Sequence, residues 1–480
     1  MDVDPVWDAA AGSGTDPLEP VDSGLHPGAG ASGGSGSATP PDVLADAAPA
    51  ALDAGGSDAA ADAQVLEPRL DSGGPIVSPL DPVLAERYRV LSERLGVLAA
   101  RTQAFWVEHG PDSTFGGFHG TLNRSGNPIA PDDKGLIQQV RHLWMLSTWY
   151  ERREASASVA SLANESYEFI AEHFVDAADG AFVFKVSRDG RRVVDAKKQM
   201  FAESYAIYAL STYGRVFGVE SALTLALGRF VSIDTERHDL TFGGYDQRGD
   251  PGVGSAQTEK DANTHLHLLE AFTALYEATA NATVGARLNE LCDLFATRLL
   301  RPSGYVHAEF RLDWTPVGAA NVSYGHDLES AWLLLEAARV LGRADDPSLR
   351  AAALQMAQHS AARGFDAQAG GYFELGVPGG ASTDFDKVWW VQFEALAGLW
   401  WAYEIGGDPL QLERLEATLG WIEQSEDLPI GEWFAITRAD GTAVGADYKG
   451  DEWKASYHSV RALVFVQDWI DQALARGATR

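Results

Sequence analysis

The sequence has a single cysteine, Cys292, which excludes an intrachain disulfide framework and any cysteine-rich zinc site. It has no apolar run of about 18 residues, the length a membrane-spanning helix needs. Basic residues are scarce: 37 Lys and Arg face 68 Asp and Glu, a formal net charge of −31 over 480 residues. Such a surface repels phosphate, so neither nucleic acid nor an anionic membrane is an expected partner. The chain opens Met1-Asp2-Val3-Asp4-Pro5, without a basic start or an apolar core, and is not read as an export signal. Motifs that carry cofactor or nucleophile chemistry are missing too. There is no His-Glu-x-x-His helix, EF-hand loop, Cys-x-x-Cys pair, serine nucleophile elbow or phosphate loop, and no Gly-x-Gly-x-x-Gly between a strand and a helix. The expectation is a protein that needs neither metal nor cofactor.

What is present divides into two zones. Residues 1–80 are rich in Ala, Gly, Asp, Ser and Pro, with 13 acidic residues against one basic residue, Arg69. Too few large apolar groups are available there to offset the entropy of ordering, so this segment is read as a disordered tether or extension. A cytoplasmic location is expected, with an exported and tethered form as the alternative. Residues 81–480 read as one globular domain with an internal repeat. A turn glycine or acidic residue followed by an aromatic recurs, giving the anchors Phe118, Phe182, Tyr245, Tyr305, Tyr372 and Trp433, spaced 64, 63, 60, 67 and 61 apart. A steady period of this size marks a repeat architecture. Before the anchors lie amphipathic stretches such as Leu91–Val107 and Leu410–Ile422. After them lie stretches apolar over most of their circumference, such as Leu266-Leu268-Leu269-Ala271-Phe272 and Trp332-Leu333-Leu334-Leu335. Helices that are hydrophobic nearly all round are buried. Six outer and six inner helices predict an all-α (α/α)6 barrel with short hairpins at one end.

The starts of the inner helices carry polar residues that burial alone does not explain. Lys134, Gln138 and Arg141 are spaced i, i+4, i+7, as are Asn263, His267 and Glu270, which predicts a shared face for each set. His326 and Glu329 are spaced i, i+3, as are His458 and Arg461, and Trp389 and Trp390 open the fifth inner helix. Each has an ordinary alternative: the histidines as core residues, Arg141 with Glu270 or Glu329 as an ion pair, the tryptophans as packing. Their equivalent placement in different repeats favours convergence on one pocket. His265, about 200° round the helix from His267, points elsewhere. The remaining histidines are read as structural or surface groups.

Imidazole titrates near neutrality, so two histidines suit removal and return of a proton beside a carbonyl, as at carbon 2 of an open-chain aldose. Return to the opposite face gives the 2-epimer, and return to carbon 1 gives the ketose. A glycoside hydrolase working through Glu270, Glu329 or Glu394 would leave the histidine placement unexplained, and a non-enzymatic carbohydrate-binding protein is a further alternative.

The segment Asn263-Thr264-His265-Leu266-His267-Leu268-Leu269-Glu270-Ala271 resembles the third inner helix of the N-acylglucosamine 2-epimerase superfamily, most closely its cellobiose 2-epimerases. So do Gly325-His326-Asp327-Leu328-Glu329-Ser330 and Trp453-Lys454-Ala455-Ser456-Tyr457-His458, with lesser matches at Gln139-Val140-Arg141 and Trp389-Trp390-Val391-Gln392. The resemblance runs from about residue 85 to the end. It implies His326 and His458 as the acid/base pair at carbon 2, and His267 as an aid to ring opening and to the enediolate. It implies Arg141, Asn263, Glu270 and Glu329 as groups that hold the sugar, and Trp390 and Trp453 as stacking platforms. It implies no cofactor and a small sugar as the partner of a monomer or weak homodimer. Four positions depart from the pattern: Ala455-Ser456 stand where the family has Cys-Pro, Val391 where it has Pro, and Phe201 where it has Tyr. The histidine pair is untouched, and the sugar stays open between a β-linked disaccharide, a free hexose and an N-acylated hexosamine, with a mannose isomerase as a further possibility.

Overall fold

A computed structural model describes residues 80–252, 257–319, 321–428, 430–444 and 448–478. The expectation of disorder for residues 1–80 lies, Leu80 apart, outside the described residues. Among those residues twelve α-helices dominate. The outer helices are α1 (Pro82–His109), α3 (Ala157–His173), α5 (Glu220–Arg237), α7 (Ala282–Leu294), α9 (Pro347–Arg363) and α11 (Pro409–Ser425). The inner helices are α2 (Leu136–Arg152), α4 (Met200–Phe217), α6 (Ala262–Thr279), α8 (Tyr324–Val340), α10 (Trp389–Gly406) and α12 (Tyr457–Ala478). Outer and inner helices alternate along the chain as the repeat predicts.

The two sets differ in what they bury, while side-chain caps open helices of both, Asp261 on α6 and Ser323 on α8 among the inner ones. Asp81, Asp346 and Asp408 accept from the first-turn N–H groups of α1, α9 and α11, each with Pro in the first turn, where its missing N–H costs nothing. Burial in α1 falls on one stripe, including Leu91, Leu95, Leu98, Thr102 and Phe105. In α10, by contrast, every residue from Trp389 to Trp400 is buried.

The inner helices grow out of short strands that link one repeat to the next. The strands are β1 (Leu122–Asn123), β2 (Lys134–Gly135), β3 (Lys185–Val186), β4 (Val193–Asp195), β5 (Lys260–Asp261), β6 (Glu309–Phe310), β7 (Val322–Ser323), β8 (Leu375–Gly376), β9 (Lys387–Val388), β10 (Ile436–Thr437) and β11 (Tyr448–Gly450). Strands β2, β5, β7 and β9, each leading into an inner helix, pair antiparallel with the hairpin of the following repeat, as β3, β6, β8 and β10. The last lead-in, β11, pairs with β1 of the first repeat, which closes the ring. The same closure brings α1 against α12, where Ser92 Oγ donates to Asp471 Oδ1 at 2.7 Å. Two bidentate pairs, Arg87 with Glu416 and Arg94 with Glu423, join the outer helices α1 and α11.

The repeat carries a second code. Asp112, Asp176, Asp239, Asp366 and Asp427 each stand six residues before an anchor, and Lys134, Lys198, Lys260, Lys387 and Lys449 stand 15 or 16 after it. Each Lys Nζ meets the Asp of its own repeat, at 3.1, 2.8, 2.8, 2.9 and 3.0 Å in that order. The inner helix of each of the first five repeats adds a tie: the fourth residue of α2, α4, α6, α8 and α10 (Gln139, Glu203, His265, Asp327, Gln392) accepts from a backbone N–H at the anchor. In the fourth repeat that N–H belongs to Val306, not Tyr305. The preceding loop is one residue shorter there, following the π-helical turn Phe295–Leu299, and Tyr305 packs instead with Val322 and Tyr324. In the sixth, Glu432 takes the left-handed turn position at φ 64°, usually glycine's, and its carboxylate accepts from Trp106 Nε1 at 3.1 Å and Lys454 Nζ at 2.6 Å.

One expected face is corrected by these details. Lys134 lies on β2, two residues before α2 starts, so helical spacing does not relate it to Arg141. It pairs with Asp112, while Gln138 donates to the Gly120 carbonyl at 3.1 Å. Of that set Arg141 alone reaches the pocket.

Candidate active site

The first two turns of the inner helices converge on one pocket. Its walls are Arg141 from α2, Phe201 and Tyr205 from α4, Asn263 and His267 from α6, His326 and Glu329 from α8, Trp389 and Trp390 from α10, and His458 from α12, with Trp453 from the loop before it. Its non-atom space is about 410 Å³ including the opening to solvent. Eight of the nine residues expected at the site therefore line it. The ninth, Glu270, lies one helical turn deeper, beneath His267.

Histidines and aromatics alternate round the wall. The ring of Trp390 lies 4.7 Å from His326 and 5.6 Å from His458, so both imidazoles pack against one indole. His458 Nδ1 is 2.7 Å from Glu394 Oε1, which in the neutral ring makes Nδ1–H the donor and leaves Nε2 as the acceptor atom. His326 Nδ1 is 2.8 Å from Ser323 Oγ, the residue that also caps α8. His267 Nδ1 is 3.1 Å from Glu270 Oε2, and its Nε2 is 2.9 Å from Tyr205 OH, which accepts from Arg141 Nη2 at 2.7 Å. Arg141 also donates to the Trp453 carbonyl. Burial lowers the pKa of all three histidines: His458 falls to about 3, although Glu394 pulls upward, and His326 falls through burial and then the charge of His267.

Beneath the pocket Arg461, fully buried, gathers three buried carboxylates. Its Nη1 donates to Glu270 and to Tyr457 OH, and its Nη2 donates to Glu329 and, at 2.7 Å, to Glu394. Burial pushes all three carboxyls upward. Arg461, His267 and Tyr457 together outweigh it at Glu270, and Arg461 with His458 outweighs it at Glu394, which ends at about 2. Glu329 goes the other way, to about 8, because burial and the charge of Glu394 outweigh Arg461. Asn263 Oδ1, Glu329 Oε2 and Arg141 Nε are buried and make no hydrogen bond within the described residues. Buried polar atoms are rarely left so, and three on the wall of one pocket suit a polyhydroxylated ligand.

The N-acylglucosamine 2-epimerase (GlcNAc 2-epimerase) family profile matches residues 116–462, most of the barrel. The chain belongs to this family. By that membership it is an isomerase of the carbohydrate epimerase class. A cellobiose 2-epimerase of Bacteroides fragilis is 32% identical over 383 residues, which is 76% of this chain and 96% of that one. The N-acylglucosamine 2-epimerase of Homo sapiens is 27% identical over 415 residues, 82% of this chain and 94% of that one. Among solved structures, the cellobiose 2-epimerase of Spirochaeta thermophila superposes with a TM-score of 0.74 at 29% identity, covering 82% of this chain and 99% of that one. The (α/α)6 barrel read from the repeat is thus the fold of this family member.

Among the described residues, histidines outside the pocket have local partners. His265 donates through Nδ1 to the Asp261 carbonyl at 2.6 Å and accepts from Tyr245 N–H at 2.9 Å, a hairpin tie facing away from His267. His142 stacks on Phe118 at 4.1 Å, and His119 pairs with Asp132 at 2.7 Å. Sequence reasoning did not single out Tyr205 as a lining residue, and named Trp389 only as opening the fifth inner helix. Tyr205 sits in the run Tyr205–Tyr213 of an apolar helix and reads there as core. Its one distinguishing signal is its place in the second turn of α4, equivalent to Arg141 and His267 in theirs.

Proposed function

We propose that the chain is a sugar 2-epimerase acting on the reducing-end glucose or mannose unit of a β-linked disaccharide such as cellobiose. The observation that carries this reading is the meeting of His326 and His458 in one pocket, each with its ring against Trp390. With Nδ1–H committed to Glu394, His458 presents Nε2 as a base, and Glu394 stabilises the imidazolium that forms when it takes a proton. Removing the carbon 2 proton of the open-chain aldose sends the electron pair toward the carbonyl oxygen. A second histidine on the other side returns a proton to the opposite face, and inversion at carbon 2 follows. Arg141, whose Nε–H has no partner among the described residues, is the donor available to the developing oxyanion, with His267 held beside it through Tyr205 OH. Trp390 and Trp453 offer faces for sugar rings, while Asn263 and Glu329 bring polar atoms with no protein partner. Glu270 holds His267 from below and is a positioning residue. The 32% identity to a cellobiose 2-epimerase supports the disaccharide, with a free hexose or an N-acylglucosamine as the alternative substrate.

The test is NMR of cellobiose, mannose, glucose and N-acetylglucosamine, each incubated with the protein in deuterium oxide and repeated with His326→Ala and His458→Ala. Deuterium at carbon 2 together with the 2-epimer, lost in both variants, is the expected result. Ketose formation would make the protein an aldose–ketose isomerase, release of monosaccharide from cellobiose would make it a hydrolase, and exchange that survives both substitutions would remove the histidine pair from the chemistry.

A further inference from the structure

The proton inventory of the pocket poses a problem for the pair. Burial holds both His326 and His458 neutral near pH 7. Deprotonating a sugar then leaves an oxyanion that no charged acid in the pair neutralises. The floor of the pocket, meanwhile, holds one group with a proton to give. Glu270, Glu329 and Glu394 share the single guanidinium of Arg461, so three ionised carboxylates would leave buried negative charge in excess. Such charge is expensive, and one carboxyl takes up a proton instead. Hydrogen bonding selects which. Glu270 also accepts from Tyr457 and is bonded to His267. Glu394 also accepts from Trp332 Nε1 at 2.8 Å and from His458. Glu329 has Arg461 on Oε1 only, and its Oε2 is buried, without a partner, on a residue of the pocket wall.

We propose that Glu329 rests as a neutral carboxylic acid and that its Oε2–H donates to the carbonyl oxygen of the open-chain sugar as carbon 2 loses its proton. The C2–H bond breaks to a histidine Nε2, the carbonyl oxygen takes the carboxyl proton, and an uncharged enediol, an imidazolium and a Glu329 carboxylate held by Arg461 result. Once a proton, relayed through solvent from the first histidine, sits on the opposite one, carbon 2 takes it and the enediol O–H returns its own to Glu329. Charge and protons balance over the cycle. The groups facing Glu329 are Arg461, His458 and Tyr457 of α12, Glu394 of α10, Glu270 and His267 of α6, Tyr205 of α4, Arg141 of α2 and His326 of its own helix. Of these, Glu394 and Glu270 raise its proton affinity and Arg461 lowers it. The chemical role rests on the 2-epimerase reading, whereas the location of the proton does not.

The experiment pairs infrared difference spectroscopy of the substrate-free protein with the pH profile of deuterium exchange, for the parent and Glu329→Gln. Expected are a protonated-carboxyl carbonyl band at pH 7 that is missing from Glu329→Gln, and a parental kcat/KM that falls above about pH 8. Glu329→Gln, which keeps a donor but has no transferable proton, should lose about 100-fold in kcat, the scale of one general acid, together with that alkaline fall. Identical carboxyl regions in the two spectra would overturn the proposal outright. So would the band with a variant whose kcat and pH profile match the parent's. A parent that exchanges no sugar at all would instead defeat the 2-epimerase reading and withdraw the donation step, with the band alone then deciding where the proton rests.

Discussion

Replacing Glu394 by glutamine isolates the electrostatic part of the proposed mechanism, because it removes one charge and almost no volume. The carboxylate accepts from His458 Nδ1 and Arg461 Nη2 on Oε1, both at 2.7 Å, and from Trp332 Nε1 on Oε2 at 2.8 Å. A glutamine whose amide oxygen replaces Oε1 keeps the first two hydrogen bonds and opposes its NH2 to the indole N–H. What it loses is the counter-charge for the imidazolium formed when His458 takes the carbon 2 proton. With charge centres about 4 Å apart and an effective dielectric constant of about 20, that attraction is about 4 kcal/mol. At about 1.4 kcal/mol per decade, kcat for deuterium entry at carbon 2 should fall about 1,000-fold. KM should change only a few-fold, since ground-state contacts with the sugar are untouched. The unmatched Trp332 N–H should cost about 1–3 kcal/mol of folding stability. Trp332→Phe removes that donor while keeping the charge, so its kcat should stay within about tenfold, at roughly 1.4 kcal/mol per decade. A Glu394→Gln enzyme within tenfold of the parent by NMR, or a Trp332→Phe enzyme equally impaired, would refute the argument that the charge on Glu394 drives the step.

The Lys–Asp pairs should be stabilising elements that leave the chemistry alone. Lys387→Met keeps the buried stem but strips Asp366 of its cation, so urea denaturation should show a loss of about 3–5 kcal/mol, and a loss under about 1 kcal/mol would mean that Asp366 finds other solvation. Gly371→Ala should cost at least about 1 kcal/mol by the same assay, since φ is 76° and the new Cβ would lie 2.6 Å from Gln392 Oε1; equal stability would show that this turn relaxes. Stability should also depend on pH with two opposite signs. Glu270 and Glu394 have lowered folded-state pKa values, so their contribution is present above the ordinary carboxylate range and disappears as the pH falls through their folded values, to about 2 for Glu394. Glu329, raised to about 8, contributes fully below the ordinary range and loses that contribution as the pH climbs toward 8. Urea midpoints from pH 5 to 8 should therefore fall less in Glu329→Gln than in the parent, and parallel curves would contradict a raised Glu329.

The legible part of this protein was its periodicity. The spacing of Phe118, Phe182, Tyr245, Tyr372 and Trp433 reports a hairpin that must recur once per helix pair, so a ring of six could be read without knowing any contact. The pocket residues were legible for a related reason. Arg141, Asn263, His267, His326, Trp390 and His458 are polar or bulky groups in the first turns of helices otherwise sealed in apolar contact, and buried polarity needs a cause. The Asp–Lys code was equally present in the spacing and went unread, because each member looks like an ordinary surface charge until its repeats are aligned. Glu270 was placed on the right face at the wrong depth. Its i, i+7 relation to Asn263 fixes direction round the helix, while about 10 Å of axial rise separates the two residues.

Depth is also what hid the role of Arg461. Its spacing from His458 was visible, but its meaning comes from Glu270, Glu329 and Glu394, which stand on three other helices and are 191, 132 and 67 residues away in the chain. Local patterning shows which side chains turn inward. It carries no information on which of them meet across the barrel, and the ionisation of the site is decided by those meetings. Glu329 and Glu394 are both glutamates in early turns of inner helices, alike as sequence, and yet their proton affinities are driven in opposite directions, Glu329 upward by burial and the charge of Glu394, Glu394 downward by Arg461 and His458. A family pattern that aligns the two histidines therefore leaves the proton inventory undetermined. In a site whose histidines are held neutral by burial, that inventory decides which group can act as the acid.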